Sequence, residues 1–346
     1  MVKFAPFIAG ACLASCALAH PTTGGHSEEA LARRAFLSSI DTRGLSSCAD
    51  KMKTRGVSDS VHARRSAIVE NLRRSNAQKK RDEATVLATS HLYNGSDITP
   101  SSTTDEVFSG TSTCILAPEV TEGPYLVTGE YVRQNLTEDQ VGVPLYMDIQ
   151  VIDSSTCEPM SDVAVDFWHA NATGVYSGII ANANGNGESD PDNIDTTFLR
   201  GVQITDDVGA VQFQSIVPGH YTGRTNHIHI IAHTDYTVLA NNTITNGTEA
   251  AHVGQFFFDQ DLLNEVEATY PYTTNTQDWS QNSEDGLIME ETAVEGIDPV
   301  VEYIMIGDDI SEGVFTWISV AINSTLNYEV GAASYIEADG GHQYIS

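Results

Sequence analysis

The sequence predicts a mainly β protein, with an antiparallel β-sandwich core and a helical N-terminal extension. From residue 113 onward, short β-rich runs recur with turn residues between them, including VPLYMDIQVID, DVAVDFWHA, AVQFQSI, HIHIIAHT and GVFTWISVAI. The turn TDDVG at 205–209 separates two such runs, as expected for neighbouring antiparallel strands. No glycine-rich phosphate loop interrupts the series, so the sequence disfavours a nucleotide-binding α/β fold.

The first 19 residues have the pattern of a secretory signal peptide. Lys3 precedes a short apolar run that ends in Ala17-Leu18-Ala19, a small-x-small cleavage signal. We therefore expect a secreted, extracellular protein whose mature chain begins at His20. No later stretch reaches the roughly 20 apolar residues that a transmembrane helix needs.

Residues 20–81 are basic and have apolar residues at helical spacing. Dibasic sites at Arg33-Arg34 and Lys79-Lys80-Arg81 leave two interpretations open, a helical extension that could mediate a homodimer or a propeptide that is cut away. The sequence then predicts three further segments: a Ser/Thr-rich linker at 82–112, the sandwich at 113–325 and an acidic tail at 326–346.

Charge is strongly segregated along the chain, whose net charge is −30. Up to Arg81 there are 14 Lys and Arg against 6 Asp and Glu, and beyond it there are 3 against 41. The three late cations are Arg133, Arg200 and Arg224. A surface this acidic repels nucleic acid and anionic lipid, so we expect neither as a partner.

Three cysteines remain once the signal peptide is removed. In an oxidising compartment Cys114 and Cys157 are the better disulfide pair because both flank the core segment, and the role of Cys48 stays open. Glycosylation sequons offer further sites on exposed loops, at Asn94, Asn135, Asn171, Asn241, Asn246 and Asn323.

The segment PGHYTGRTNHIHIIAH, residues 218–233, is the most informative for chemistry. His227 and His229 are two apart on a β-rich run, so both imidazoles project from one face of a strand and can share a metal. The alternative interpretation is that His227 and His229 are surface residues on an exposed strand face and bind no metal. Tyr221 stands six residues upstream across a turn that can fold back over the same face, and a hard trivalent cation would stabilise its phenolate.

From about Cys114 to about Ala321 the chain resembles the intradiol ring-cleavage dioxygenases, which include the catechol and protocatechuate dioxygenases. It looks similar to secreted fungal members. Four motifs carry the resemblance in order, namely EGPYLV at 122–127, DFWHANATGVYSG at 166–178, LRGVQITDDVGAVQFQSIVPGHYTGRTNHIHI at 199–230 and HVGQFFFDQDL at 252–262.

The resemblance implies one non-haem ferric iron per chain, held by Tyr176, Tyr221, His227 and His229. A catechol-type substrate would displace Tyr221, whose phenolate takes a proton, and the ring would then react with dioxygen and open between its two hydroxylated carbons.

Further roles follow from the same motifs. Arg224 and Gln255 would face the substrate, and Arg224 could also stabilise negative charge on the ring. A salt bridge to a carboxylate is the alternative for Arg224. We assign four residues to the pocket, of which the leucine departs from the family's usual aromatic: Tyr125, Leu126, Trp168 and His169.

Two other functions are compatible with parts of the sequence. One is a non-enzymatic secreted β-sandwich module that binds carbohydrate or aromatic polymer. The other is a copper enzyme that uses His20 as the N-terminal ligand, which the Gly-rich PTTGG that follows disfavours.

Overall fold

The computed structural model describes residues 83–95, 98–99, 102–108, 122–185, 187–245, 247–292, 297–337 and 340–343. The α-helices are α1 Glu83–Ala88, α2 Thr104–Val107, α3 Gln260–Glu267 and α4 Gly286–Thr292. Short 3-10 helices lie at Gly187–Ser189, Pro191–Asp195, Tyr272–Thr274, Asn282–Glu284 and Ile310–Glu312. The strands are β1 Val127–Thr128, β2 Pro144–Asp153, β3 Ala164–Trp168, β4 Arg200–Ile204, β5 Ala210–Ile216, β6 His227–His233, β7 Glu249–Ala250, β8 His252–Phe257, β9 Glu302–Met305, β10 Val314–Ile322, β11 Tyr328–Glu329, β12 Ser334–Glu337 and β13 Gly340–Gln343.

Two four-stranded sheets form the sandwich, which confirms the predicted fold class. The first sheet, here the site sheet, has the strand order β4-β3-β6-β8 and is antiparallel throughout. The second, the scaffold sheet, has the order β5-β2-β10-β9. Its β2 and β10 run parallel, from Leu145 opposite Val314 to Asp153 opposite Ile322, so this sheet departs from a purely antiparallel pattern.

Side-chain alternation along the strands divides each sheet into an inner and an outer face. In β6, Ile228, Ile230 and Ala232 belong to the main core between the sheets. The intervening residues, including His227 and His229, therefore project from the outer face of the site sheet. The functional side chains thus stand on the side of this sheet that points away from the sandwich interior.

The prediction of a linker at 82–112 needs correction, because the described parts of this segment pack against the sandwich. Ile98 and Val107 are buried with Phe315 and Trp317 on the outer face of the scaffold sheet. His91 is also buried, and its Nε2 lies 3.1 Å from Asp298 Oδ2. Composition concealed this role, since a few apolar residues among many serines and threonines are enough to cover an exposed aromatic surface.

The prediction of an acidic tail at 326–346 also needs correction, because the described part of this segment forms strands. The short β11 pairs with β7, and β12 lies between β1 and β13 in a three-stranded sheet. Ala333 donates its backbone N–H to the carbonyl of Leu126, which brings this end of the chain onto the site-sheet side. Backbone pairing therefore orders a segment whose composition alone suggested a solvated tail.

Several other predictions fall wholly or partly outside the described residues. The signal peptide and the 20–81 segment lie there, as do Cys48, Cys114 and Asn246. Cys157 is disulfide-bonded, and its pairing with Cys114 stays a prediction. Within the described part of the chain, the helices are all too short or too polar to cross a membrane.

Candidate metal centre

His227 and His229 occupy the middle of the site sheet, with β3 on one side of their strand and β8 on the other. His229 lies opposite Trp168 of β3 and opposite Gln255 of β8. The Trp168 indole stacks on the His229 imidazole, with centroids 4.9 Å apart and an interplanar angle of 7°. Trp168, predicted as a pocket residue, therefore fixes the plane of a candidate ligand.

Tyr176 reaches the same place from the loop that follows β3. The side-chain oxygen of Asn171 accepts hydrogen bonds from the backbone N–H groups of Thr173 and Val175, which sets the turn. Asn184 then receives the Tyr176 N–H at 2.7 Å and donates to the Tyr176 carbonyl at 2.8 Å. Tyr176 is 1% exposed, so its ring is enclosed as well as anchored.

Tyr221 comes from the loop that precedes β6. Its carbonyl accepts the Arg224 N–H at 3.0 Å, which closes a tight turn. Gly223 within this turn has φ of +86°, a left-handed conformation that glycine adopts readily. The turn directs the Tyr221 hydroxyl back toward His227, as the sequence predicted.

Four side-chain donor atoms meet at one point. The Tyr176 hydroxyl lies 3.4 Å from His227 Nε2 and 3.2 Å from His229 Nε2. The Tyr221 hydroxyl lies 3.2 Å from His227 Nε2, and the two Nε2 atoms are 3.1 Å apart. Donor atoms this close to one another can share a metal, whose bonds to nitrogen and oxygen are about 2 Å long.

The protonation states of the four groups suit a cation. Burial holds the pKa of both histidines well below the ordinary range, so both rings are neutral. His227 Nδ1 donates to the Thr225 carbonyl at 2.6 Å, which leaves the lone pair on Nε2 for a ligand. Burial also raises the pKa of Tyr176 and Tyr221, so without a metal both phenols keep their protons.

This donor set fits ferric iron. Two neutral imidazoles and two phenols that can become phenolates offer nitrogen and anionic oxygen, which a trivalent iron prefers. Across the described ranges, no three histidine, cysteine, aspartate or glutamate side chains group so that they could hold a metal. The two histidines therefore depend on the tyrosines for a complete set.

Arg224 forms a salt bridge and also faces the site, the two interpretations that its sequence position allowed. Its Nε donates to Asp285 Oδ2 at 2.7 Å, and its Nη2 donates to Gln255 Oε1 at 2.6 Å. The remaining Nη1 lies 3.5 Å from the Tyr221 hydroxyl and 3.4 Å from His227 Nε2. The salt bridge thus aims the cation at the site, and Asp285 is a supporting residue that the sequence analysis missed.

The wall of the site near Tyr176 is built by the EGPY segment. The Tyr125 ring lies 4.9 Å from the Tyr176 ring, and Leu126 is fully buried in the same cluster. At Gly123, where φ is +75°, an added Cβ would stand 3.0 Å from His229 Cε1. Bare backbone therefore closes the site beside His229.

His169 is placed differently from the other predicted pocket residues. It is fully buried, and its ring nitrogens lie 2.7 Å from the Ala170 carbonyl and 2.7 Å from Ser215 Oγ of β5 in the scaffold sheet. Burial lowers its pKa to about 4, which keeps the ring neutral. The structure thus places His169 between the sheets, where it connects them, and Trp168 alone of this pair faces the ligands.

A second buried cluster lies behind Tyr176, and the sequence analysis missed it. Arg200 is 1% exposed, and its Nη1 donates to Glu130 Oε1 at 3.2 Å. Asp166 lies beside these two groups, and His233 Nε2 is 3.8 Å from Asp166 Oδ2. A charged residue inside a β-rich run, such as Asp166 or Arg200, was the sequence signal for this cluster.

The sequons differ in their surroundings. Asn94, Asn135 and Asn241 are exposed, and Asn323 is partly buried. Asn171 is also partly buried, and its Nδ2 donates to Gln140 Oε1 at 3.0 Å while its oxygen sets the Tyr176 turn. Attachment of a glycan to Asn171 would replace one hydrogen of the Nδ2 group that bonds to Gln140.

A family model and a curated relative each match part of this chain. The family model described as "Dioxygenase" matches residues 117–263. The catechol 1,2-dioxygenase of Acinetobacter baylyi is 28% identical over 197 residues, which cover 53% of this chain and 55% of that protein. This chain therefore spans about half the length of that curated relative.

Two solved structures extend the comparison. An intradiol ring-cleavage dioxygenase from Tetranychus urticae is 31% identical, with 62% of this chain and 96% of that chain covered and a TM-score of 0.49. The dioxygenase domain of a carbohydrate-binding fusion protein from Streptomyces sp. SirexAA-E is 22% identical, with 62% and 98% covered and a TM-score of 0.35. On the family model and on the 31% identity over almost all of the Tetranychus urticae chain, this protein belongs to the intradiol ring-cleavage dioxygenase family.

Proposed function

We propose that this protein is a secreted non-haem ferric iron dioxygenase that cleaves catechol-type rings between the two hydroxylated carbons and releases muconate-type products. The observation that carries the proposal is that the Tyr176, Tyr221, His227 and His229 donor atoms are linked to one another by four contacts of 3.1–3.4 Å. Membership of the family supports it.

The chain's own residues have distinct parts in this chemistry. Bound ferric iron would supply the Lewis acid that holds both catechol oxygens and prepares the ring for dioxygen. Tyr221, which is less buried than Tyr176, would accept a proton from a catechol hydroxyl. Arg224 Nη1 would stabilise the negative charge left on the substrate oxygens, and its bonds to Asp285 and Gln255 hold it in that orientation.

The charges near the site favour an uncharged ring. In the part of the chain that the structure describes, all three arginines pair with carboxylates, Arg133 with Glu138, Arg200 with Glu130 and Arg224 with Asp285. A carboxyl group on the ring would thus find no uncommitted arginine in those ranges. We therefore propose catechol or hydroxyquinol as substrates in preference to protocatechuate, whose carboxylate would enter a strongly acidic protein.

Metal analysis combined with oxygen uptake tests the proposal. Purified protein loaded with iron should bind one iron per chain, show a red to brown phenolate-to-iron absorption, and consume oxygen with catechol and hydroxyquinol. A protein that binds iron tightly yet stays colourless would contradict the ligand set. Absence of oxygen uptake with every catechol, in coloured protein, would favour the non-enzymatic module instead.

Secretion and oligomeric state need separate measurements. Expression of the full chain in a secreting host should release protein whose N-terminal sequence begins at His20, or at Asp82 if the basic segment is a propeptide. Retention of uncleaved protein inside the cells would contradict the predicted signal peptide. Sedimentation of the secreted product tests the predicted homodimer.

A further inference from the structure

The two tyrosines of the centre are held in unequal ways. Tyr176 is fixed by Asn184 and also by Asn193, whose Nδ2 donates to the Tyr176 carbonyl at 2.8 Å. Tyr221 lies on a short turn, and Arg224 Nη1 is 3.5 Å from its hydroxyl oxygen. One ring is therefore enclosed from behind, whereas the other is held by its own loop.

Arg200 is the charged group behind the enclosed ring. Its guanidinium carbon lies 5.8 Å from the centroid of the Tyr176 ring. Its Nε donates to both the carbonyl and the hydroxyl oxygen of Ser177, each at 3.0 Å. Because Ser177 follows Tyr176 in the chain, these two bonds attach the ligand-bearing turn to β4.

The Arg200 charge is only partly neutralised. Its Nη2 has no hydrogen-bond partner among the described residues, and neither has Glu130 Oε2. Burial, together with the charge of Asp166, raises the pKa of Glu130 well above its usual range, while Arg200 acts in the opposite direction. Glu130 and Asp166 both lie beside this guanidinium, and on its other side it favours an electron-rich ring, for which a phenolate is better suited than a phenol.

We propose that Arg200 is a positioning residue that makes Tyr176 the permanent anionic ligand of the centre. It would do so by fixing the Ser177 turn and by placing positive charge against the Tyr176 ring. Tyr221 instead meets a cation, Arg224 Nη1, at its hydroxyl, 3.5 Å away. The inference rests on the proposed function, because it takes Tyr176 to be an iron ligand.

Three variants test the role of Arg200. Arg200→Met combined with Glu130→Gln removes the guanidinium together with the carboxyl group that it bonds to, and leaves Asp166 beside them. Arg200→Lys keeps the charge but loses the Nε–H that reaches both Ser177 oxygens. Arg133→Met is the matched control, since Arg133 also contacts β4 through the Arg200 carbonyl but lies near the surface.

Two measurements on iron-loaded protein separate electrostatics from mere folding. In the double variant the phenolate-to-iron band should move to longer wavelength, because the Tyr176 electrons are held less tightly. A chelator should remove iron about tenfold faster, the usual effect of losing a group that supports a metal ligand. Arg200→Lys should release iron faster while keeping the band near its wild-type position, and Arg133→Met should change neither.

Hydrogen exchange on iron-free protein adds a readout that needs no metal. Amides of residues 176–178 should exchange faster in both Arg200 variants than in wild type or in Arg133→Met. If the double variant does not fold, Arg200→Lys decides through its exchange and iron-release rates. Wild-type rates and an unmoved band would overturn the role of Arg200, whereas an uncoloured wild type with altered exchange in the variants would overturn the proposed function alone.

Discussion

The outer faces of the two sheets are built by the same alternation but serve different purposes. On the scaffold sheet, Phe315 and Trp317 project outward and are covered by apolar residues of the 98–107 region. On the site sheet the corresponding surface carries His227 and His229, covered by loops that bring tyrosines and an arginine. What converts a β surface into a reaction site is therefore the polarity of the outward strand residues together with that of the loops that cover them.

The largest expected effect comes from Tyr176→Phe compared with Tyr272→Phe. Both tyrosines are 1% exposed, but the Tyr272 hydroxyl donates to the Val217 carbonyl and accepts from the Val143 N–H. Tyr176→Phe should lose much of the visible colour and reduce kcat on the order of 10⁴-fold, as for loss of a reacting group. Tyr272→Phe should keep the colour and lose about 1–2 kcal/mol of unfolding free energy.

Spectra and steady-state oxygen uptake measure the first variant, and thermal unfolding measures the second. Full colour in Tyr176→Phe would remove that residue from the ligand set. Equal loss of colour in Tyr272→Phe would mean that the colour depends on buried tyrosines in general. Tyr176 would then not differ from a tyrosine of the main core.

Trp317→Ala and Trp168→Ala compare the two covered faces directly. Trp317 contacts Phe315 and Tyr93, so its removal should cost about 3–5 kcal/mol of stability while iron binding in folded protein stays intact. Trp168→Ala removes a similar volume and also frees the His229 ring, so it should weaken iron binding as well. Iron titration at a temperature where both variants are folded distinguishes them, and equal affinities would contradict this assignment.

Arg224→Lys tests whether the arginine that covers the site sheet acts on the substrate. Lysine keeps the charge but cannot reach Asp285, Gln255 and the Tyr221 hydroxyl together, so kcat/KM for catechol should fall about 100-fold. Colour of the resting enzyme should remain. Arg133→Lys, at the surface, is the control and should retain full activity, and an Arg224→Lys enzyme with wild-type kcat/KM would show that the side chain only supports the fold.

The smallest effect concerns a buried carboxyl of the scaffold sheet. Burial raises the pKa of Asp148 to about 6, from an ordinary value of 3.8. Protonation of Asp148 is then favoured in the folded state, so the stabilisation that this group contributes is fully present below about pH 4 and is lost as the pH rises through about 6. Asp148→Asn, which can still accept from Gln212, should therefore raise the unfolding free energy by about 1–2 kcal/mol at pH 7 and leave it unchanged near pH 4.

Thermal or denaturant unfolding at both pH values measures this difference. A variant that is equally stabilised at pH 4 and pH 7 would show that the gain has another origin. The expected loss with rising pH is opposite to the usual behaviour of a carboxylate in a salt bridge, which makes the sign itself informative.

Sequence was most informative where chemistry depends on local spacing. The HxH pair on β6 and the turn that carries Tyr221 lie within nine residues, so strand alternation and turn propensity were enough to bring them together. Fold class followed from the same short-range periodicity. Tyr176 needed the resemblance to a family, because it is 51 residues from His227 and no local pattern connects them.

The features that escaped prediction depend on long-range contacts. Asp285 lies 61 residues after Arg224, and Glu130 lies 70 residues before Arg200, so neither pairing has a signature in sequence spacing. The packing of 83–108 and the strands after 326 were hidden by composition, since both segments read as polar. Long-range burial, rather than local propensity, decided each of these outcomes.

The close approach of Gly123 to His229 limits how this pocket can change over evolution. Because its φ is +75° and a methyl group there would press on the imidazole, the position tolerates almost no substitution without moving a candidate ligand. We expect variation that adapts the cavity to wider or narrower rings at nearby side chains of the same segment, Tyr125 and Leu126. Relatives with different substrate ranges should accordingly share this glycine and differ at the positions of Tyr125 and Leu126.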